Sequence, residues 1–106
     1  MLNNRMRRII NGKLYDTETA EECGEMSYSN SRDFHYIHEV LYRKRNGEFF
    51  IAGEGGPLTR YSAQIDTNSW SGGSKIIPLT PDEAKQWAEE HLSASKYIEL
   101  FGEPEE

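Results

Sequence analysis

Asp33, His35, His38 and Glu39 are the one cluster in the sequence whose residue types could ligate a metal or exchange protons. On a helix, His35 and His38 would share a face, but on a strand they point to opposite faces and cannot chelate together. Neither the two-Cys, two-His spacing nor the His-Glu-x-x-His spacing of zinc sites is present. The expectation is polar residues beside a turn, with no metal and no cofactor. Gly53-Glu54-Gly55-Gly56 and Gly72-Gly73-Ser74-Lys75 invite a phosphate-loop reading. Such a loop must open a helix, whereas Lys75 precedes the strand-like Ile76-Ile77, and Glu54 sets a carboxylate where phosphate would come. Cys23 stands among Glu21, Glu22 and Glu25, whose charges disfavour a nucleophilic thiolate. These residues predict no enzyme.

Association chemistry is better represented. The chain has 106 residues and a formal net charge of −6. Residues 1–60 hold nine basic and nine acidic side chains, and residues 61–106 hold three basic and nine acidic ones, so the imbalance lies wholly in the second part. An acidic field repels a phosphate backbone and attracts basic partners. Asp82, Glu83, Glu89, Glu90 and Glu99 are therefore the partner-binding candidates, joined by Trp70 and Phe50 as aromatic anchors, since aromatics are enriched at binding hot spots. The same carboxylates serve equally as a solubilising surface, and Trp70 equally as a plug for the open end of a sheet. Arg5, Arg7, Arg8, Arg43 and Arg45 are the residues through which the chain would contact a nucleic acid instead.

The length sets one domain over residues 1–106, with residues 1–6 and 103–106 expected to fray. A hydrophobic fraction of 36% and an aromatic fraction of 11% describe a folded chain with a thin core. No apolar run approaches the roughly 20 residues of a membrane span, and no signal-peptide pattern follows the basic start. With a single cysteine, the expectation is a soluble protein of the cytoplasm.

Two Asn-Gly dipeptides, the strongest short-range hairpin signal, organise the rest. Arg8-Ile9-Ile10 turns at Asn11-Gly12 and returns as Lys13-Leu14-Tyr15, setting Ile9 opposite Leu14. Val40 to Arg45 turns at Asn46-Gly47 and returns as Glu48 to Ala52. A two-residue loop there pairs Arg45 with Glu48, buries Val40, Tyr42, Phe49 and Ile51 on one face, and leaves Arg43, Arg45, Glu48 and Phe50 on the other. Thr17 caps a short predicted helix that ends at Gly24. Ser27 to Asp33 reads as a turn region, Phe34 to Val40 suits strand or helix, Leu58 to Gln64 a helical turn or short strand, and Asp66 to Ser74 a loop. Ile76 to Leu79 is a short edge strand, as Pro78 requires. Thr80 then caps the clearest helix, with Pro81 in its first turn and an apolar stripe of Ala84, Trp87, Ala88, His91 and Leu92. A last helical segment, Ser93 to Phe101, buries Tyr97, Leu100 and Phe101 and stops at Gly102. The fold class is α+β: a small antiparallel sheet built from two hairpins plus a short strand, packed on one face by the C-terminal helix and a short N-terminal helix.

Ile9 to Ala20, Leu41 to Phe50, Gly53 to Gly56 and Ile76 to Ala84 resemble a group of small proteins encoded on phages and mobile elements of gut bacteria and related microbes. The resemblance covers most of residues 9–101. Proteins of that setting include inhibitors of host defence such as anti-CRISPR proteins. The resemblance implies a non-enzymatic inhibitor whose partner is a larger host protein with a basic or nucleic-acid-binding surface, and it carries over no active-site residues. A small nucleic-acid-binding accessory protein is the alternative.

Overall fold

The computed structural model describes residues 5–30 and 32–106 of the chain. In chain order its elements are β1 (Arg7–Ile10), β2 (Lys13–Asp16), β3 (Glu21–Tyr28), β4 (Ile37–Arg43), β5 (Phe49–Gly55), β6 (Ala63–Asp66), β7 (Ser69–Ser71), β8 (Gly73–Leu79), α1 (Pro81–His91) and α2 (Ala94–Phe101). The architecture is α+β, as the sequence predicts. The main sheet is antiparallel in the order β3-β4-β5-β8, while β1-β2 and β6-β7 are separate two-stranded ribbons. The first Asn-Gly hairpin thus does not extend the main sheet but covers it.

Both faces of the main sheet are buried. Val40, Tyr42, Phe50, Ala52 and Ile76 form one layer, closed by Met6 and Tyr15 from the N-terminal hairpin. Leu41, Phe49, Ile51 and Cys23 form the other, closed by Ala84 and Trp87 of α1. Strands covered on both sides carry continuous apolar runs rather than alternation, and Val40-Leu41-Tyr42 and Phe49-Phe50-Ile51-Ala52 are such runs. Tyr42 stacks on Phe50 with ring centroids 5.3 Å apart, and Tyr15 meets Phe50 edge-on at 5.4 Å. Phe50, expected on a solvated face, is fully buried at 0% exposure.

The physical reason is the second turn. Asn11 and Gly12 both take positive φ, 51° and 77°, and close the two-residue loop that sets Ile9 opposite Leu14. At the second dipeptide only Gly47 does, at 93°. Gly47 N–H donates to Lys44 O at 2.9 Å and Lys44 N–H to Glu48 O at 2.7 Å, which makes a three-residue loop of a tight turn closed by a left-handed glycine. The pairing therefore runs Arg43 to Phe49 and Tyr42 to Phe50. A slip of one residue exchanges the faces, so Phe49 and Ile51 are buried with Leu41 and not beside Tyr42. Arg45 does not pair with Glu48, whose carboxylate instead accepts from Lys13 at 2.6 Å and Lys44 at 3.1 Å.

The helix expected from Thr17 to Gly24 is a turn followed by β3. Thr17 Oγ1 accepts from Met6 N–H at 3.0 Å, and Asp16 Oδ1 from Glu18 N–H at 2.9 Å, so these side chains cap the end of the hairpin. The segment has no apolar stripe to hold a helix, whereas as a strand it pairs with β4 and buries Cys23. Strand β3 runs on to Tyr28, into the expected turn region, and residues 34–40 resolve as a turn followed by β4. Residues 63–66 and 69–71 form a hairpin, where the sequence predicts a helical turn or short strand as far as Gln64 and a loop from Asp66, and β8 carries Pro78 on the sheet edge. Of the six N-terminal residues expected to fray, Met6 is buried and Arg5 pairs with Asp16; residues 1–4 lie outside the described residues. No helix among the described residues is long and apolar enough to cross a membrane.

Replacing Gly47 by Val forces a β-branched residue into positive φ and is expected to cost about 1 kcal/mol or more; an unchanged urea midpoint would refute the turn assignment. The Arg5 guanidinium holds the Asp16 carboxyl at about 2, and Lys13 followed by Lys44 holds that of Glu48 at about 2. A carboxyl depressed in the fold contributes stability that is complete above its unfolded value and is lost as pH falls through the folded one. The melting temperature is therefore expected to drop as pH falls from the ordinary 4.5 of Glu48 toward 2. Asp16→Asn should lower the neutral-pH melting temperature and make that drop shallower, as thermal melts across pH would show.

Candidate protein-binding face on the helical unit

Helix α1 is defined at its start by side-chain chemistry. Thr80 Oγ1 accepts from Glu83 N–H at 3.1 Å while Glu83 Oε1 accepts from Thr80 N–H at 2.8 Å, a reciprocal cap that satisfies two backbone donors. Pro81 stands in the first turn, as predicted, and Ala84, Trp87 and Ala88 are buried. Ser93 Oγ caps α2 by accepting from Lys96 N–H at 3.2 Å, and Gly102 ends it at φ 86°. Tyr97, Leu100 and Phe101 are half-buried rather than buried, with the Phe101 ring 5.3 Å from that of Phe49.

A buried carboxylate anchors this unit to the sheet. Glu39, 4% exposed, projects from β4 on the helix side. Its Oε1 accepts from Trp87 Nε1–H at 2.9 Å, and its Oε2 from the Tyr61 hydroxyl at 2.6 Å and from the Arg60 guanidinium. Burial pushes the Glu39 carboxyl up, but the Tyr61, Trp87 and Arg60 donors together bring it below its ordinary value. Burial and the adjacent Glu39 push the Tyr61 hydroxyl up. Each oxygen of the buried carboxylate therefore meets at least one donor.

The residues Asp33, His35, His38 and Glu39, whose types could ligate a metal, are dispersed by strand geometry. His38 lies on the opposite face of β4 from Glu39, with Nε2 2.9 Å from Glu25 and Nδ1 3.7 Å from Glu54, while His35 and Asp33 meet in the turn before it. Among the described residues no three His, Cys, Asp or Glu side chains converge in metal-binding geometry. Burial, as its main cause, pushes the Cys23 thiol up, away from nucleophilic character.

The candidate acidic residues all lie on the helical unit, with unequal roles. Glu83 is committed to the α1 cap, and Glu99 to Lys96 at 2.7 Å. Asp82 and Glu89 have no basic side chain in ion-pair range among the described residues, and Glu90 has His91 at 3.9 Å. Residues 1–79 carry ten acidic and ten basic side chains, whereas residues 80–106 carry eight acidic and two basic ones. The whole net charge of −6 therefore belongs to the helical unit. Of the arginines, Arg5 binds Asp16 at 2.6 Å and Glu18 at 2.7 Å, Arg7 lies 3.8 Å from Asp16, and Arg43 binds Glu21 at 2.7 Å. Arg8 and Arg45 have no acidic partner among the described residues. Trp70, 53% exposed, sits on β7 opposite Gln64 and is not among the residues that line the groove between α1 and α2, and Phe50 is removed from the candidates by its burial.

Sequence reasoning missed that groove. It runs between α1 and α2, lined by Ala88, Leu92, Tyr97, Ile98 and Pro104, with Glu89 at its rim and a volume of about 490 Å³. No spacing along the chain signals it, since Tyr97 belongs to the stripe with Leu100 and Phe101 and the groove exists only where the two helices meet. It missed the Glu39 cluster too, although an indole on a core stripe demands an acceptor. The chain matches no protein family, no curated protein and no solved structure.

Glu39→Ala leaves Trp87 Nε1–H and the Tyr61 hydroxyl without their acceptor and is expected to cost about 3–5 kcal/mol. Combined with Trp87→Phe, the loss should be smaller than the sum of the two single losses, because both remove the same hydrogen bond. Urea denaturation of the three variants measures both quantities, and strict additivity would contradict the shared contact.

Proposed function

We propose that the protein is a non-enzymatic binding protein that occupies a basic, nucleic-acid-handling surface of a larger protein through its acidic helical unit. The observation that carries this reading is the segregation of charge. The sheet and its hairpins are balanced and largely paired within themselves, while the excess stands on two exposed helical faces and the segment after them. Glu89 and Glu90 lie off the buried stripe of α1, so folding does not require them. Carboxylates so displayed imitate a row of phosphates, and their field steers association with a basic groove. The resemblance of the sequence to small phage and mobile-element proteins directs the search for such a partner to host defence proteins that hold nucleic acids. Three of the five arginines offered for direct nucleic-acid contact are engaged with Asp16, Glu18 or Glu21, which favours the protein partner over the nucleic acid.

The test is capture of partners from host lysate by the tagged chain, followed by binding measurements with the recovered protein. Affinity should weaken as salt rises, because exposed charges are screened over roughly 8–10 Å at physiological ionic strength. Glu89→Lys with Glu90→Lys should lower affinity by about tenfold or more while leaving the melting temperature nearly unchanged. Tight gel-shift binding of DNA or RNA by the wild type, lost when Arg5, Arg7 and Arg8 are neutralised and unaffected by the two lysines, would establish the nucleic-acid reading instead.

A further inference from the structure

The acidic excess and an open apolar groove occur on the same unit. Ile98 is 37% exposed and belongs to neither core layer, and with Leu92, Tyr97 and Pro104 it makes an apolar floor open to solvent. Glu89 stands on the rim. Glu103 and Glu105 flank Pro104 in the chain, and both are exposed. A purely solubilising surface has no use for an apolar trough at its centre, and a purely phosphate-mimicking one has none either. We propose that the α1–α2 groove seats the apolar side chains of a basic amphipathic segment of the partner, whose lysines or arginines meet Glu89 on the rim and the carboxylates that flank Pro104. This inference rests on the acidic-face reading and adds the chemistry of the bound element: an apolar stripe with positive flanks, as in helix-in-groove recognition. Charge decides the occupant. A second copy would bring an identical acidic rim against this one, and like charges brought together across an interface disfavour that pairing.

The probe is a synthetic amphipathic peptide of leucine and lysine, compared with poly-lysine and with a leucine–glutamine peptide of the same pattern, each titrated into the isotopically labelled full chain. The leucine–lysine peptide should bind saturably and tightest of the three, with amide shifts concentrated on residues 88–98. Ile98→Gln, which removes the apolar contact without altering charge, should weaken that peptide by about tenfold and leave poly-lysine binding unchanged. Ile98 lies outside the core, and the shift map of the wild type stands even if the variant melts early. Equal loss for both probes, unchanged affinity for the leucine–lysine peptide, or shifts centred elsewhere would overturn the groove inference while leaving the acidic face intact. Glu89→Lys with Glu90→Lys leaving both lysine probes unaffected would instead overturn the acidic-face reading itself. A wild-type dimer in sedimentation that Ile98→Gln abolishes would assign the groove to a second copy and overturn the proposal.

Discussion

A carboxylate taken out of water is tolerable only when its lone pairs are met, and Glu39 is the place where this chain imposes that constraint on itself. The strand that carries it, β4, lies between β3 and β5 at the middle of the main sheet. Its three donors come from two distant parts of the chain: Trp87 on α1, and the adjacent Arg60 and Tyr61 from the turn after β5. Apolar contact between α1 and the sheet would tolerate sliding of the helix along its stripe. The indole hydrogen bond to Glu39 admits one position, and so sets which residues of α1 face solvent. Desolvation of such a group offsets much of what its hydrogen bonds contribute to net stability. Everything displayed on the outer surface of the helical unit is placed through that contact.

The legibility of the fold varied with the kind of interaction that decided each element. Helix α1 was readable because its determinants are local: Thr80, Pro81, Asp82 and Glu83 at the start and a three-four stripe along it. The first hairpin was readable because Asn11-Gly12 satisfies its own turn. The second was misjudged by one residue because the choice between a two-residue and a three-residue loop depends on which register buries more, and Phe50 gains a stacked Tyr42 and an edge-on Tyr15 in the register adopted. The segment from Thr17 to Gly24 was misjudged for a related reason. Its local signals favour a capped helix, but β4 has an open edge that must be paired, and pairing it also buries Cys23.

The candidate site divides in the same way. The acidic residues were visible as types and positions along the chain, since charge survives any folding of it. Which of them are free was not visible, because the commitments of Glu83 and Glu99 depend on cap and helix geometry. Nor was the segregation of the arginines into internal pairs, which depends on the hairpin's position over the sheet. The groove could not be read at all from spacing, because it is a space between two elements and its width is a property of their crossing.

Gly53 pairs with Glu39 across β4 and β5, and a Cβ built there would stand 2.0 Å from the Tyr61 hydroxyl. The ring of Tyr61 therefore occupies the volume that any other residue at position 53 would claim. Inheritance at these sites is consequently joint. A descendant chain that acquires a side chain at position 53 must displace Tyr61, and with it one of the donors that make a buried Glu39 tolerable, so that Glu39 and Trp87 come under pressure to change in turn. The exposed face of α1 is under no such coupling. Residues there are free to drift one at a time, over a framework whose own substitutions can be accepted only in concert.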